Sequence, residues 1–208
     1  MNRSTLAAAA VAGALAGVAA GLVLTRTEPA MPALERATLF EASRPLPAIA
    51  LQDQSERAFD RGRMRGHWTL LFFGFTNCPD VCPTTLATLA EARRQLADLP
   101  PGEIPDVVLA TVDPARDTPA TLARYVAHFD PSFTGITGSP ESIEAFTRDL
   151  GVAVMIGEPA ADGSYTVDHS AAVFLIDPAA EFTALFSTPH DAATIARDYR
   201  RIVSARAR

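Results

Sequence analysis

A near-continuous apolar segment leads into the only two cysteines of the chain. The segment runs from Trp68 to Phe75, and Cys78 and Cys82 follow it with three residues between them. Such a run is typical of a central strand buried on both faces, and a buried strand delivers its end to one fixed place. Two sulfurs held there can close a disulfide or bind a soft metal ion such as Cu(I). The sequence therefore predicts a rigid core strand with a reactive site at its end.

Strand-like and helix-like segments alternate along the rest of the chain. The strand-like segments are 48–53, 68–75, 107–112, 133–137, 152–156, 165–167, 171–176 and 182–186. The helix-like segments are 84–98, 118–129, 139–150 and 191–205. Two of them begin with a capping residue followed by proline, at Thr118 and Ser139. This order predicts an α/β three-layer sandwich with a mixed central sheet. A cysteine pair where a strand meets a helix favours a thioredoxin-like fold.

The N-terminus carries a candidate membrane helix. From Thr5 to Leu24 the chain contains only Ala, Val, Leu and Gly apart from Thr5 itself. A helix of this length reaches about 30 Å, the thickness of a bilayer core. Its length favours an uncleaved anchor over a cleaved signal peptide, for which 18–20 is a weak cleavage site. We expect the anchor to lie in the inner membrane and the remaining chain to face the periplasm.

The segment after the anchor reads as a tether. Residues 27–45 carry proline and charge without clear periodicity, which predicts a linker between the anchor (1–26) and a thioredoxin-like domain (46–208). The net charge of -6 argues against a nucleic-acid surface.

Export changes how the cysteine pair is interpreted. An exported thiol pair drifts toward a disulfide unless it is reduced or holds a metal. A disulfide that closes so small a ring constrains little chain entropy, so Cys78 and Cys82 are a better reactive site than a structural crosslink. The partial positive charge at the start of the following helix is expected to lower the pKa of the thiols.

Two thiolates are an incomplete site for Cu(II) or zinc, so a third ligand is expected among the four histidines. His67 lies at the start of the central strand, opposite the cysteines, and is predicted at the surface. His128 falls late in a helix, where it interacts with the helix terminus. His190 is interpreted as a capping or loop residue. His169 directly precedes an apolar strand, and the residues alone support a ligand role and a core or capping role equally.

The order of the motifs closely resembles the Sco/SenC family of copper-handling, thioredoxin-like proteins. The matching stretches are GFTNCPDVCPTTL at 74–86, TVDPARDTP at 111–119, DP at 130–131, TGSP at 137–140 and DHS at 168–170. Two departures are small and touch no predicted ligand. Ala179, Ala180 and Glu181 lack the glycine usual in the final hairpin, and the loop at 157–164 looks short.

The resemblance implies a copper site formed by Cys78, Cys82 and His169 that takes Cu(I) or Cu(II). It also implies that Asp113 acts near the site or in partner docking, while the residues alone support nearly as well a role in capping the loop before Thr118. The implied function is a membrane-anchored metallochaperone that delivers copper to the CuA centre of cytochrome c oxidase subunit II. Other periplasmic copper chaperones or thiol reductants are further expected partners.

Two other functions use the same sulfurs. A thiol–disulfide oxidoreductase that keeps the acceptor cysteines reduced needs Cys78 and Cys82 but no histidine. A peroxidase related to the peroxiredoxins, which share the fold, needs a fast-reacting Cys78. Copper binding that depends on His169 favours the metallochaperone over the oxidoreductase, and undetectable peroxide turnover argues against the peroxidase.

Overall fold

The computed structural model describes residues 33–206. The membrane anchor predicted for residues 1–26 lies outside this range. No helix between residues 33 and 206 combines the length and the apolar character that crossing a membrane requires.

Residues 33–206 contain ten strands and four α-helices. The strands are β1 (Ala37–Pro45), β2 (Leu51–Asp53), β3 (Ala58–Phe59), β4 (Thr69–Gly74), β5 (Asp106–Thr111), β6 (Thr134–Thr137), β7 (Val154–Ile156), β8 (Val167–His169), β9 (Val173–Ile176) and β10 (Glu181–Phe186). The helices are α1 (Val81–Gln95), α2 (Pro119–Phe129), α3 (Pro140–Leu150) and α4 (Ala192–Arg206). Short 3₁₀ turns lie at Arg61–Met64 and Pro101–Glu103.

The central sheet is mixed, as predicted. Its strand order is β1-β10-β9-β4-β5-β6-β2-β3. Strands β4, β5 and β6 run parallel, whereas β9 is antiparallel to β4 and β2 is antiparallel to β6. Strands β7 and β8 form a separate antiparallel pair. Every residue of β4 is buried, because the strand lies between β5 and β9 inside the core.

The helix starts explain where the cysteines lie. The hydroxyls of Thr118 and Ser139 accept hydrogen bonds from the third residue beyond them, at 3.2 Å each, and proline follows each cap as predicted. Helix α1 begins three residues earlier than predicted, at Val81, because Pro83 is tolerated in a first turn whose N–H groups lack helical partners. Cys82 therefore belongs to the first turn of α1.

The structure corrects the predicted linker. Residues 37–45 form β1, which pairs antiparallel with β10 at the edge of the sheet. The buried carboxylate of Asp198 on α4 holds the start of this strand, because it accepts hydrogen bonds from the backbone N–H groups of Glu35, Arg36 and Ala37 at 3.0, 2.8 and 3.0 Å. No residue of this edge strand is fully buried, so its sequence shows little apolar periodicity, and for that reason the sequence pattern predicted a linker.

The final hairpin closes without its usual glycine. Ala180 takes the left-handed backbone conformation, with φ of 61°, in the turn between β9 and β10. The carboxylate of Asp177 accepts hydrogen bonds from the N–H groups of Ala179 and Glu181, both at 3.0 Å. These bonds support a conformation that glycine adopts at lower cost.

Candidate metal centre

The structure brings the three predicted metal ligands together. One ligand atom from each of Cys78, Cys82 and His169 lies within 4.8 Å of the others. Cys78 lies in the loop after β4, Cys82 in the first turn of α1 and His169 at the end of β8. The Cys82 sulfur is 3.4 Å from Nε2 of His169, and the Cys82 N–H donates to the Cys78 sulfur at 3.5 Å. Such spacing allows one ion to contact all three side chains after small adjustments.

His169 is held in the tautomer that a metal requires. Its Nδ1 lies 3.1 Å from the carbonyl oxygen of Ser170, which can only accept, so Nδ1 carries the proton and Nε2 presents its lone pair to the cysteines. The rings of Phe72 and Phe75 contact the imidazole edge-to-face, with centroids at 6.0 and 5.8 Å. Burial lowers the pKa of His169, so the ring is neutral near pH 7 and its lone pair is free to bind a cation.

The pKa of Cys82 is shifted opposite to the sequence prediction. Cys82 is fully buried, and this burial raises the pKa of its thiol, although a backbone hydrogen bond from Phe75 opposes the rise. Desolvation is the largest cause of this rise in pKa, whereas the partial charge of the helix terminus was expected to lower the pKa. Without a cation, the S–H of Cys82 can donate to Nε2 of His169. A bound cation favours the thiolate and displaces that proton.

A glycine at the end of β4 makes room for the Cys82 sulfur. A Cβ added to Gly74 would lie 2.9 Å from that sulfur and 3.0 Å from Cε1 of Phe72. The sulfur thus packs against a bare backbone position. Gly74 belongs to the motif at 74–86, but sequence reasoning assigned it no role.

Asp117 supports the cysteine loop, and sequence reasoning missed it. Its buried carboxylate accepts hydrogen bonds from the N–H and hydroxyl of Thr76, at 3.0 and 2.5 Å, and from the hydroxyl of Thr111 at 2.6 Å. The group therefore ties the loop before Cys78 to the end of β5. The sequence feature that could have identified Asp117 is its place in the motif at 111–119, which follows a buried strand.

Replacing Asp117 by alanine is expected to lower the free energy of unfolding by about 2 kcal/mol, because the buried N–H of Thr76 loses its partner. Asp117→Asn is the matched control. Its amide oxygen can accept from the Thr76 N–H and the Thr111 hydroxyl, while its NH₂ donates to the Thr76 hydroxyl. We therefore expect the asparagine variant to keep or exceed the stability of the parent in urea unfolding.

The pH dependence of the stability of the parent and of Asp117→Asn gives a second test of the role of Asp117. Burial raises the pKa of Asp117, although the threonine hydrogen bonds oppose the rise. The stability that this group contributes is therefore complete below its unfolded pKa of about 3.9 and is lost as pH rises through the native pKa. The advantage of Asp117→Asn over the parent should grow from pH 4 to pH 7. An advantage that shrinks over this range would contradict the assignment.

Asp113 lies beside the site in a hydrogen-bond network that, within residues 33–206, includes none of the three candidate ligands. Its side chain is 2% exposed, pairs with the Arg116 guanidinium and accepts a hydrogen bond from the Tyr165 hydroxyl at 2.7 Å. Its carbonyl oxygen accepts from the N–H of Asp117 at 3.0 Å. These contacts fit the predicted role in capping the loop, and they connect that loop to the segment leading into β8. Because this carboxylate is buried, it is not available at the surface to contact a partner.

The other histidines lie where the sequence placed them. His67 is 57% exposed, and His128 lies in the last turn of α2. Nε2 of His190 donates to the carbonyl oxygen of Ala171 at 2.7 Å, in the loop before α4. In the part of the chain that the structure describes, none of these three joins the cysteines.

A surface cavity gives access to the candidate site. It has a volume of about 250 Å³, and its wall includes Cys78, His169, Phe75 and Val81 but not Cys82. The buried Cys82 therefore lies beneath the two groups that an incoming molecule meets first.

These features define a class of protein: a thioredoxin-like α/β domain with two cysteines and one histidine gathered at the end of its central strand. The SCO1/SenC family model matches residues 43–204. The chain belongs to the SCO1/SenC family, as the sequence motifs predicted.

Several relatives resemble this chain over most of the domain. The structure of Arabidopsis thaliana ScoI with copper bound has a TM-score of 0.71 and 33% identity, covering 76% of this chain and 98% of that one. Yeast Sco1 with copper bound has a TM-score of 0.69 and 30% identity, covering 77% of this chain and 87% of that one. The mitochondrial SCO2 homologue of Bos taurus is 37% identical over 159 residues, which are 76% of this chain. The match spans 59% of that relative's length.

Proposed function

We propose that this protein binds one copper ion through Cys78, Cys82 and His169 and delivers it to the CuA centre of cytochrome c oxidase during assembly. The observation that carries the proposal is the convergence of two sulfurs and one imidazole nitrogen within 4.8 Å. Membership of the SCO1/SenC family and the copper bound in two related Sco structures support the choice of metal.

The ligand set suits both oxidation states of copper. Two thiolates favour Cu(I), and the imidazole nitrogen of His169 extends the site to Cu(II). Binding displaces the thiol protons, including the one that burial holds on Cys82. Cys78 and His169 line the cavity, so a ligand from the acceptor can replace them first while Cys82 still holds the ion.

The proposed setting is the periplasmic face of the inner membrane. The apolar segment at 5–24 anchors the chain there, and the acceptor is the CuA domain of cytochrome c oxidase subunit II. Other periplasmic copper chaperones supply the ion, and a thiol reductant keeps the cysteines reduced, because an oxidised pair has no thiolate to offer.

A second candidate function is reduction of acceptor cysteines, favoured by the arrangement of an accessible Cys78 beside a buried Cys82. The Cys78 thiolate attacks the acceptor disulfide, and one acceptor sulfur leaves as a thiolate. Cys82 then attacks the Cys78 sulfur, which releases the second acceptor thiol and closes the Cys78–Cys82 disulfide. Two electrons pass to the acceptor, and the thiol reductant restores the domain.

Copper titration of the full chain in two redox states tests the main proposal. The reduced protein is expected to bind one copper ion, and the protein with a Cys78–Cys82 disulfide none, because the two sulfur ligands are then consumed. Cu(II)-loaded protein should show a thiolate-to-copper charge-transfer band. Loaded protein should then metallate a purified CuA domain of subunit II. A reduced protein that takes up no copper contradicts the proposed function, and binding without transfer contradicts the proposed acceptor.

A further inference from the structure

The strand that carries His169 lies outside the central sheet. Strand β8 pairs with β7 in a separate two-stranded sheet. Such a hairpin is only marginally stable by itself, so the position of His169 depends on the contacts that fasten β8 to the rest of the domain. After β8, the carbonyl oxygen of Ala171 accepts a hydrogen bond from Nε2 of His190 at 2.7 Å. A second set of contacts fastens the chain before β8.

Arg116 holds the segment that enters β8 through Tyr165, which lies two residues before the strand. Nη1 of Arg116 donates to the carbonyl oxygen of Tyr165 at 3.3 Å, and the guanidinium carbon lies 3.8 Å from the centre of the Tyr165 ring. A guanidinium stacked at this distance attracts the ring as well as bonding the backbone. The Tyr165 hydroxyl in turn donates to Asp113, which also pairs with Arg116. The three residues therefore form a closed network.

This network connects the end of β5 to the surroundings of His169. The N–H of Asp113 donates to the hydroxyl of Thr111, the last residue of β5, at 2.9 Å. The guanidinium carbon of Arg116 also lies 5.8 Å from the centre of the Phe75 ring, and that ring contacts the imidazole with centroids at 5.8 Å. Arg116 thus contacts both the segment that leads to His169 and an aromatic ring that packs on it.

We propose that Arg116 is a positioning residue that holds His169 beside the two sulfurs before a copper ion arrives. The inference rests on the proposed copper function. A ligand that is already in place loses less freedom when the ion binds, which strengthens binding. Cu(II) should gain most, because its binding requires the imidazole nitrogen, whereas the two thiolates already favour Cu(I).

The test compares Arg116→Lys with Arg148→Lys in the full chain. Lysine keeps a positive charge beside Asp113 but lacks the planar fork that bonds and stacks on Tyr165. Arg148, on α3, is 65% exposed and serves as the matched control. In competition with chelators, the Cu(II) affinity of Arg116→Lys should fall about 10-fold, as for loss of an outer-shell partner of a metal ligand. Its Cu(I) affinity should fall less, and Arg148→Lys should match the parent for both ions.

Amide hydrogen exchange of the metal-free reduced protein provides a readout that is independent of copper. In Arg116→Lys, the amides of β7 and β8 should exchange about 10-fold faster than in the parent, the effect of losing one hydrogen bond from a charged group. The urea midpoint should change little, because the opening is local. Tyr165→Leu leaves the pair of Arg116 and Asp113 in place but removes the stacked ring. It should show the same local increase in exchange and the same selective loss of Cu(II) affinity.

The possible outcomes separate the inference from the proposed function. If the parent binds copper and both variants bind Cu(II) as tightly as the parent, the inference is overturned and the proposed function stands. If Cu(I) and Cu(II) affinities fall equally and the urea midpoint falls with them, Arg116 has a general structural role and the inference is also overturned. If the parent binds no copper, the proposed function fails and the inference falls with it.

Discussion

Replacing His169 by alanine is expected to abolish stable Cu(II) binding and to leave a weakened Cu(I) site on the two sulfurs. Nε2 of His169 is the only nitrogen donor in the three-residue group, and two thiolates alone are an incomplete Cu(II) site. Losing merely an outer-shell partner of a metal ligand costs about 10–100-fold in affinity, so loss of the ligand itself should cost Cu(II) affinity more than about 100-fold. Visible and EPR spectra of Cu(II)-loaded protein measure the effect.

His67→Ala provides the matched control, since it removes an imidazole that is 57% exposed and lies at the opposite end of β4. Its spectra should equal those of the parent. The same His169→Ala variant separates the two candidate functions, because disulfide exchange uses only Cys78 and Cys82 and should survive. Unchanged Cu(II) affinity in His169→Ala would remove this residue from the ligand set. Loss of disulfide reduction together with copper binding would instead indicate a collapsed site.

Local sequence signals made the main strands and helices of the domain predictable. The apolar run at 68–75 became β4, and the cap-and-proline pairs at Thr118 and Ser139 began α2 and α3 where expected. Each signal acts within a few residues, so sequence pattern captures it. Such local reasoning could not choose between a ligand role and a core or capping role for His169. Its partner Cys82 is 87 residues away in the sequence, and β8 brings the two together. The ordered family motifs supplied the assignment that local pattern lacked.

The supporting residues could not be predicted because their partners are distant or their effects compete. Nothing near Asp198 in the sequence shows that it holds residues 35–37, and nothing near Asp117 shows that it accepts from Thr76. The Cys82 thiol illustrates competition: its nearness to a helix start was predictable, but the extent of its burial was not, and burial is the largest cause of the rise in its pKa. A centre assembled from distant chain segments therefore needs coordinates before its energetics can be argued.

Substituting Gly74 by alanine is expected to lower copper affinity about 100-fold, because it displaces the Cys82 sulfur. The new Cβ would lie 2.9 Å from that sulfur, 3.0 Å from Phe72 and 3.2 Å from Leu109, so something must shift. Metal–ligand distances tolerate deviations of only about 0.2 Å, so a displaced sulfur binds poorly. Overpacking should also lower the free energy of unfolding by about 1–3 kcal/mol. Cu(I) competition and urea unfolding measure the two effects.

A double-mutant cycle identifies which contact causes the Gly74→Ala effect. If the clash is with the sulfur, replacing Cys82 by serine shortens the offending side chain, and the stability cost of Gly74→Ala should fall by about half or more in that background, since residues in contact are not additive. Gly102→Ala is the control substitution, because a Cβ there meets nothing within 4 Å. It should change neither affinity nor stability by a comparable amount. If Gly74→Ala lowers the free energy of unfolding equally with Cys or Ser at position 82, the clash is with Phe72 or Leu109. Gly74 would then not determine the position of the Cys82 sulfur.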